Sequence, residues 1–255
     1  MVESKTQNQE FGHHLKLETM HEQYGILVVV TQPSGSLESI GLTDYTEWFA
    51  EALAIDRKRI SAINAIEEPL PSTVPHSGII IGGSSHSIYE SLPWMQRLQE
   101  FIRAMAEQEK PMLGVCFGHQ AIAMAFGGTV EKGVHGRELG ATEIELTPEG
   151  RQDRLFEDLP ARLTIATSHA DALTALPHTG NVTVLANNKT YPYQALAVGN
   201  NIRTIQPHPE ITCDILTTLA QARKDTLIQE GFVKDDAAFE TFILSCEYLV
   251  SLLRG

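Results

Sequence analysis

The sequence predicts an α/β protein: an open, mostly parallel sheet with helices on both faces, extended by antiparallel strands. Three observations predict it. Short apolar runs rich in β-branched residues stand at 26–30, 78–81 and 112–115, and such runs read as strands buried on both faces. Helical patterns lie between them, as in parallel sheets joined by crossovers. From residue 142 onward the pattern becomes a run of short strands with no long helix between them, which fits an antiparallel extension. The 255 residues are 42% hydrophobic, with no Gly/Ser/Pro linker, internal repeat or low-complexity segment. We expect one domain at 25–211, a polar and flexible arm at 1–24, and a helical extension at 212–255 packed on the same domain.

In chain order, the run Ile26-Leu27-Val28-Val29-Val30 ends at Pro33, Ser34 and Gly35. Residues 45–54 have helical spacing. The second buried strand, 78–81, stops at Gly82-Gly83. Pro93 then opens a helix, at a position where its missing N–H costs little. Trp94, Leu98, Phe101, Ile102 and Met105 share one face of that helix, and Lys110-Pro111 closes it. The third buried strand, 112–115, runs into a helix at 119–126 that ends at Gly127-Gly128. The later strands are expected at 142–146, 163–167, 182–186, 195–198 and 202–206. After Pro209 the chain returns to helix, where Phe239, Phe242, Ile243, Cys246, Leu249, Val250 and Leu253 share a face.

The charge balance excludes several functions. Lys plus Arg number 19 against 32 Asp plus Glu, a net charge of −13. Binding to nucleic acid or to an anionic membrane surface needs clustered positive charge. Residues 111–130 carry no formal charge over nearly the length of a membrane span. In lipid, however, His119, Gln120 and the glycines there would lack partners, so a buried strand–turn–helix is expected. No apolar stretch behind a basic start suggests a signal peptide. The three cysteines, Cys116, Cys213 and Cys246, form no CxxC pair, and a reducing cytoplasm is the expected compartment.

The chemistry centres on Gly114-Val115-Cys116-Phe117-Gly118-His119-Gln120. A buried strand running straight into a glycine-flanked cysteine, with a helix following at once, is the pattern of a nucleophile elbow. The helix N-terminus beneath the thiol favours thiolate. Taken alone, Gly-x-Cys-x-Gly leaves a buried structural thiol as the commoner reading. Cys213 and Cys246 are read as structural. A thiol nucleophile needs a base. His208 stands in Gln206-Pro207-His208-Pro209-Glu210, directly after a strand, with prolines fixing the backbone and Glu210 placed to set the imidazole tautomer. A rigid turn with a surface histidine is the alternative. His119, in the first helical turn, is read as a supporting residue. No histidine spacing suggests a metal site, and no cofactor is expected; His13, His14, His76, His86, His135 and His178 are read as solvated.

Gly-Val-Cys-Phe-Gly-His-Gln followed by Gln-Pro-His-Pro-Glu resembles the class I (triad) glutamine amidotransferases. Ile80-Ile81-Gly82-Gly83-Ser84 is similar to that family's glycine-rich oxyanion strand, and Thr167-Ser168-His169-Ala170-Asp171 to its Ser-His-x-Asp loop. Gly136-Arg137-Glu138-Leu139-Gly140 resembles a segment of the amidotransferase domain of GMP synthases, and the chain as a whole resembles their stand-alone relatives. The resemblance implies a flavodoxin-like core and a Cys116–His208–Glu210 triad. Cys116 would attack the glutamine amide, His208 would move the proton, and Glu210 would orient His208. The N–H groups of Gly83 and Phe117 would form the oxyanion hole. Gly82, Gln120, Ser168, His169 and Ala170 would bind the substrate, glutamine or another γ-glutamyl small molecule. The ammonia would serve an acceptor synthetase in trans, because no synthetase module is recognisable in the chain. The rival readings are a γ-glutamyl peptidase acting on glutathione-like compounds and a non-catalytic binding module on the same fold. Ser84 stands where the family has a stiffening proline, so residues 84–89 are expected to be loose until a partner packs on them. Pro207 stands where a Phe is usual.

Overall fold

The computed structural model describes residues 25–253, and the side chains of 25–244. The expected arm at 1–24 lies outside the described residues, as do the side chains of Cys246, Leu249, Val250 and Leu253. The strands are β1 (Ile26–Val30), β2 (Ile60–Asn64), β3 (Gly78–Ile81), β4 (Met112–Val115), β5 (Thr129–Lys132), β6 (Glu138–Leu146), β7 (Arg162–His169), β8 (Asp171–Ala175), β9 (Val182–Asn187), β10 (Ala195–Val198) and β11 (Ile202–Ile205). The helices of five or more residues are α1 (Tyr45–Ala52), α2 (Pro93–Glu107), α3 (Phe117–Ala125), α4 (Cys213–Ala222), α5 (Lys224–Gln229) and α6 (Asp236–Leu253).

Nine strands form one sheet in the order β2-β1-β3-β4-β11-β10-β9-β6-β7, and β5 pairs with β8 in a second. The first five strands of the large sheet run parallel. The other four continue it antiparallel. The expected strands are all present. β2, β5 and β8 are additions that the sequence pattern did not reveal. β2 is an edge strand with polar positions, and β5 is exposed at three of its four residues.

The apolar runs are buried on both faces because successive side chains point to opposite sides of a strand. Leu27, Val29, Ile79 and Ile81 pack with Met95, Leu98, Ile102 and Ile122 from α2 and α3. Val28, Ile80, Val115 and Ile205 pack with Trp48 and Phe49 of α1 and with Ile215, Leu216 and Leu219 of α4. Asp44 caps α1 by accepting from the N–H groups of Thr46, at 2.7 Å, and Glu47, at 3.2 Å. A third cluster of Ala220, Leu227, Val233, Phe239 and Ile243 holds the C-terminal helices together. Among the described residues, no helix is long and apolar enough to cross a membrane.

Candidate active site

The parallel strands converge at their carboxyl ends on one group of residues, as is usual for open α/β sheets. Thr31 follows β1, Gly82 and Gly83 follow β3, Cys116 follows β4, and His208 lies just beyond β11. Cys116 has φ 53° and ψ −103°, a region that L-residues avoid. Two glycines permit this turn. A Cβ on Gly114 would lie 2.5 Å from the Gly118 carbonyl oxygen, and one on Gly118 would lie 2.1 Å from the oxygen of Ile81. Neither position has room for a side chain, so the glycine pair is a packing requirement of the elbow.

His208 is held from both sides. Its N–H donates to the Ala166 carbonyl of β7 at 2.8 Å, and its Nδ1 lies 2.7 Å from Glu210 Oε1. Nε2 is thereby left for the Cys116 thiol, with which the ring is hydrogen-bonded. Both His208 and Glu210 are buried. Burial works against a charged imidazole. The Glu210 carboxylate and the Cys116 sulfur outweigh it and push the His208 pKa up to about 10. Tyr45, beside Gly83, is shifted the same way: burial and the Glu210 charge keep its phenol protonated well above the usual range.

The loop after β3 is lashed in place. The Gly82 carbonyl accepts from the Gly118 N–H at 3.1 Å and from the Thr31 hydroxyl at 3.3 Å. Thr31 also donates to the Gly83 carbonyl at 2.7 Å. All described peptides are trans, so the Gly83 N–H, anti to the Gly82 carbonyl, faces away from Thr31 and Gly118. A Cβ built on Gly83 would fall 3.2 Å from His208 Cε1 and 3.9 Å from Cys116 Cβ, which places that backbone beside both. Phe117 is the first residue of α3, where no carbonyl of that helix can take its N–H. In place of the looseness expected at 84–89, the Ser84 hydroxyl donates to the Thr31 carbonyl at 2.6 Å and accepts from the His86 N–H at 3.1 Å. Ser87 and Tyr89 donate to the Asp171 carboxylate at 2.6 and 2.9 Å. Hydroxyl groups supply the tether that a proline would otherwise have supplied.

A cavity of ≈ 370 Å³ opens above Cys116, lined by Phe117, Gln120, Ser168, His169, Ala170 and Asp171 on one side and by residues 84–87 and 89 on another. Four of the five residues expected to bind substrate therefore reach it. Gly82 does not; it lies beneath the loop, against Tyr45 and Phe49. His169 contributes backbone rather than ring, since its Nδ1 is bonded to the Asp171 carbonyl and its Nε2 to Glu138, both at 2.9 Å. This pair gives Glu138, the acidic residue of the Gly136-Arg137-Glu138 segment, a structural place behind the cavity. Burial opposes ionisation of Glu138, but hydrogen bonds from His169, Asn188 and Gln194 hold its carboxyl below the usual range. His119 points away from the thiol to Thr204 Oγ1 at 2.8 Å. Burial lowers its pKa to about 3, with the nearby His169 charge adding to the effect.

Sequence reasoning missed one whole wall of the cavity. Arg223 and Thr226, from the junction of α4 and α5 and from α5 itself, line it together with Glu230, Lys132 and Arg137. Arg137 grips Glu230 through Nε at 2.8 Å and Nη2 at 3.1 Å. Only the glycine-flanked Arg137 carried a signal in the sequence. Among the described residues, no group of three or more His, Cys, Asp or Glu side chains is arranged to hold a metal ion.

With this geometry in view, three kinds of likeness to known proteins bear on the chain. The model of the family "Glutamine amidotransferase class-I" matches residues 48–218. Gamma-glutamyl peptidase 4 of Arabidopsis thaliana is 28% identical over 224 residues, which cover 86% of this chain and 87% of that protein. A GMP synthase (glutamine-hydrolyzing) of Edwardsiella ictaluri is 37% identical over 142 residues, covering 53% of this chain but only 26% of the enzyme. Among solved structures, a glutamine amidotransferase of Thermotoga maritima superimposes with a TM-score of 0.67 at 22% identity, over 91% of this chain and 95% of its own. At that identity the likeness speaks for the fold.

Proposed function

The chain belongs to the class-I glutamine amidotransferase family, and from that premise we propose that it hydrolyses a γ-glutamyl C–N bond through a thioester on Cys116. The observation that carries the reading is the aligned set of Cys116, His208 and Glu210 at the strained elbow, opening on a cavity. The Cys116 sulfur, its proton held by His208, attacks the Cδ of the γ-glutamyl group. Negative charge gathers on the carbonyl oxygen, which the N–H groups of Gly83 and Phe117 receive. The C–N bond breaks as His208 gives its proton to the leaving nitrogen. His208 then takes a proton from water, whose oxygen attacks the thioester; the C–S bond breaks and glutamate departs. Glu210 holds His208 in the tautomer that presents Nε2 to sulfur. Gln120 and the backbone of residues 168–170 hold the amino-acid end of the substrate.

Glutamine is the donor of the first reading, with ammonia passed to a separate acceptor enzyme in the cytoplasm. A γ-glutamyl peptide is the donor of the second. The near full-length likeness to gamma-glutamyl peptidase 4 favours it. A non-catalytic module would not need the strained cysteine together with a buried, carboxylate-oriented base. Incubating the purified protein with glutamine and with γ-glutamyl peptides, and measuring ammonia, free amine and glutamate, tests both. We expect glutamate from at least one donor and none from the Cys116→Ala variant. No glutamate from either donor would reject the hydrolase.

A further inference from the structure

The cavity above Cys116 carries more charge than glutamine can meet. Arg137 is matched by Glu230. Arg223 is not matched in this way. Its guanidinium donates from Nη1 to the neutral Ser168 hydroxyl at 3.2 Å, and among the described residues no carboxylate lies within ion-pair distance of it. Lys132, more exposed, shares the wall and likewise lacks an ion pair there. Asp171 is the converse case. Its carboxylate takes the hydroxyls of Ser87 and Tyr89 and no cation. The wall therefore presents two cations without an ion-pair partner of their own, one of them partly buried, which Glu230, already paired with Arg137, reaches only at longer range, and one anion, Asp171, held by hydroxyls alone. A partly buried guanidinium with no carboxylate in contact is costly, and a carboxylate is the partner its planar fork fits best.

Free glutamine brings one ammonium and one carboxylate. A γ-glutamyl amino acid or peptide brings one ammonium and two carboxylates, which is the complement of this wall. Space points the same way. Past Arg137 and Glu230 the cavity adjoins a second one of ≈ 350 Å³, and Lys132, Arg137, Ala170 and Glu230 line both. Ammonia needs no such room, whereas a larger leaving amine does.

We propose that Arg223 anchors a carboxylate on the leaving group, so that the substrates of this site are γ-glutamyl amino acids or peptides whose leaving amine is itself an acid. The inference rests on the thioester reading of Cys116 and deepens it. Arg223 stands outside residues 48–218, so the family pattern does not specify it. It is a specificity residue supplied by the C-terminal helices.

Two probes separate the leaving-group carboxylate from the α-carboxylate. γ-Glutamylglycine carries both, and γ-glutamyl methylamide carries only the second. We expect Arg223→Gln to lower the ratio of kcat/KM for γ-glutamylglycine over that for the methylamide by about 10- to 100-fold, the usual range for losing a charge-assisted hydrogen bond. The loss should fall on KM, and Arg223→Lys should recover part of it. An unchanged ratio, or an equal loss on both compounds, would overturn the proposal. A binding arm needs no turnover. In Cys116→Ala, calorimetry should show γ-glutamylglycine binding at least tenfold tighter than the methylamide, and the added Arg223→Gln should abolish that preference. Absence of the preference would also overturn the proposal. If the wild type turns over neither compound, the thioester reading fails while the binding arm still decides the role of Arg223.

Discussion

His208 Nδ1 lies 2.7 Å from Glu210 Oε1, two residues further along the same proline-bounded turn. The carboxylate thus comes from the same loop as the proposed base, and the short local link fixes one imidazole nitrogen and frees the other. His208→Asn should lower turnover by about 10²–10⁴-fold, the usual contribution of a positioned proton carrier. Glu210→Gln should cost less and should shift the pH profile, because it orients the ring without accepting its proton. Steady-state kinetics from pH 5 to 10 on all three proteins checks the order.

The same pair makes stability depend on pH. The folded-state pKa of His208 is raised to about 10, above the ordinary value of 6.5. Its contribution is therefore fully present below pH 6.5 and is lost as pH rises through about 10. Urea midpoints should fall across that interval in the wild type and fall less in Glu210→Gln.

His119 works with the opposite sign. Its folded pKa is lowered to about 3, so the unfolded chain takes up a proton below pH 6.5 that the folded chain refuses. Stability should decline between pH 6.5 and pH 3. His119→Gln should flatten that acid limb, as melting temperatures at pH 4, 5 and 7 would show.

Gly118→Ala forces a methyl group onto the Ile81 carbonyl. We expect it to lower stability by about 1–3 kcal/mol or more, the range for overpacking, and to displace Cys116. Denaturant midpoints read the first effect. The rate of Cys116 alkylation by a glutamine-like diazoketone reads the second. In the wild type, labelling should be fast at Cys116 and slow at Cys213.

Thr31→Val removes the hydroxyl that fixes the Gly83 carbonyl. Thr31 does not line the cavity above Cys116, so it should act through the loop, and kcat should fall about tenfold with KM little changed. Thr31→Ser, which keeps the hydroxyl, should restore the rate.

Much of this was legible in the sequence because the relevant residues are locally constrained. Glycines at the positions flanking Cys116 and prolines flanking His208 mark backbones that few other residues could follow. The buried strands announced themselves because a strand covered on both faces has no polar side to show. β2, with Ser61 exposed within it, and β5, with Glu131 and Lys132 exposed, lack that signature. Thr31, Arg223 and Glu230 were not legible, since each acquires its role only when a distant segment packs beside it. Nothing in the local sequence of Arg223 separates it from an ordinary solvated arginine.

The place of β11 has a consequence for how the chain matures. It is the last strand in sequence, yet it lies between β4 and β10 near the middle of the sheet. During synthesis, β4 and the elbow emerge long before β11 and the His208 that follows it. A nascent chain therefore presents Cys116 before His208, its proposed activating neighbour, has been made. Contacts this distant in sequence are slow to form, because the loop entropy is lost before the pairing stabilises the sheet. Insertion of β11 between β4 and β10 would complete the sheet and bring His208 to Cys116 in one event, so that, on the proposed role of this pair, reactivity is withheld until folding is nearly done.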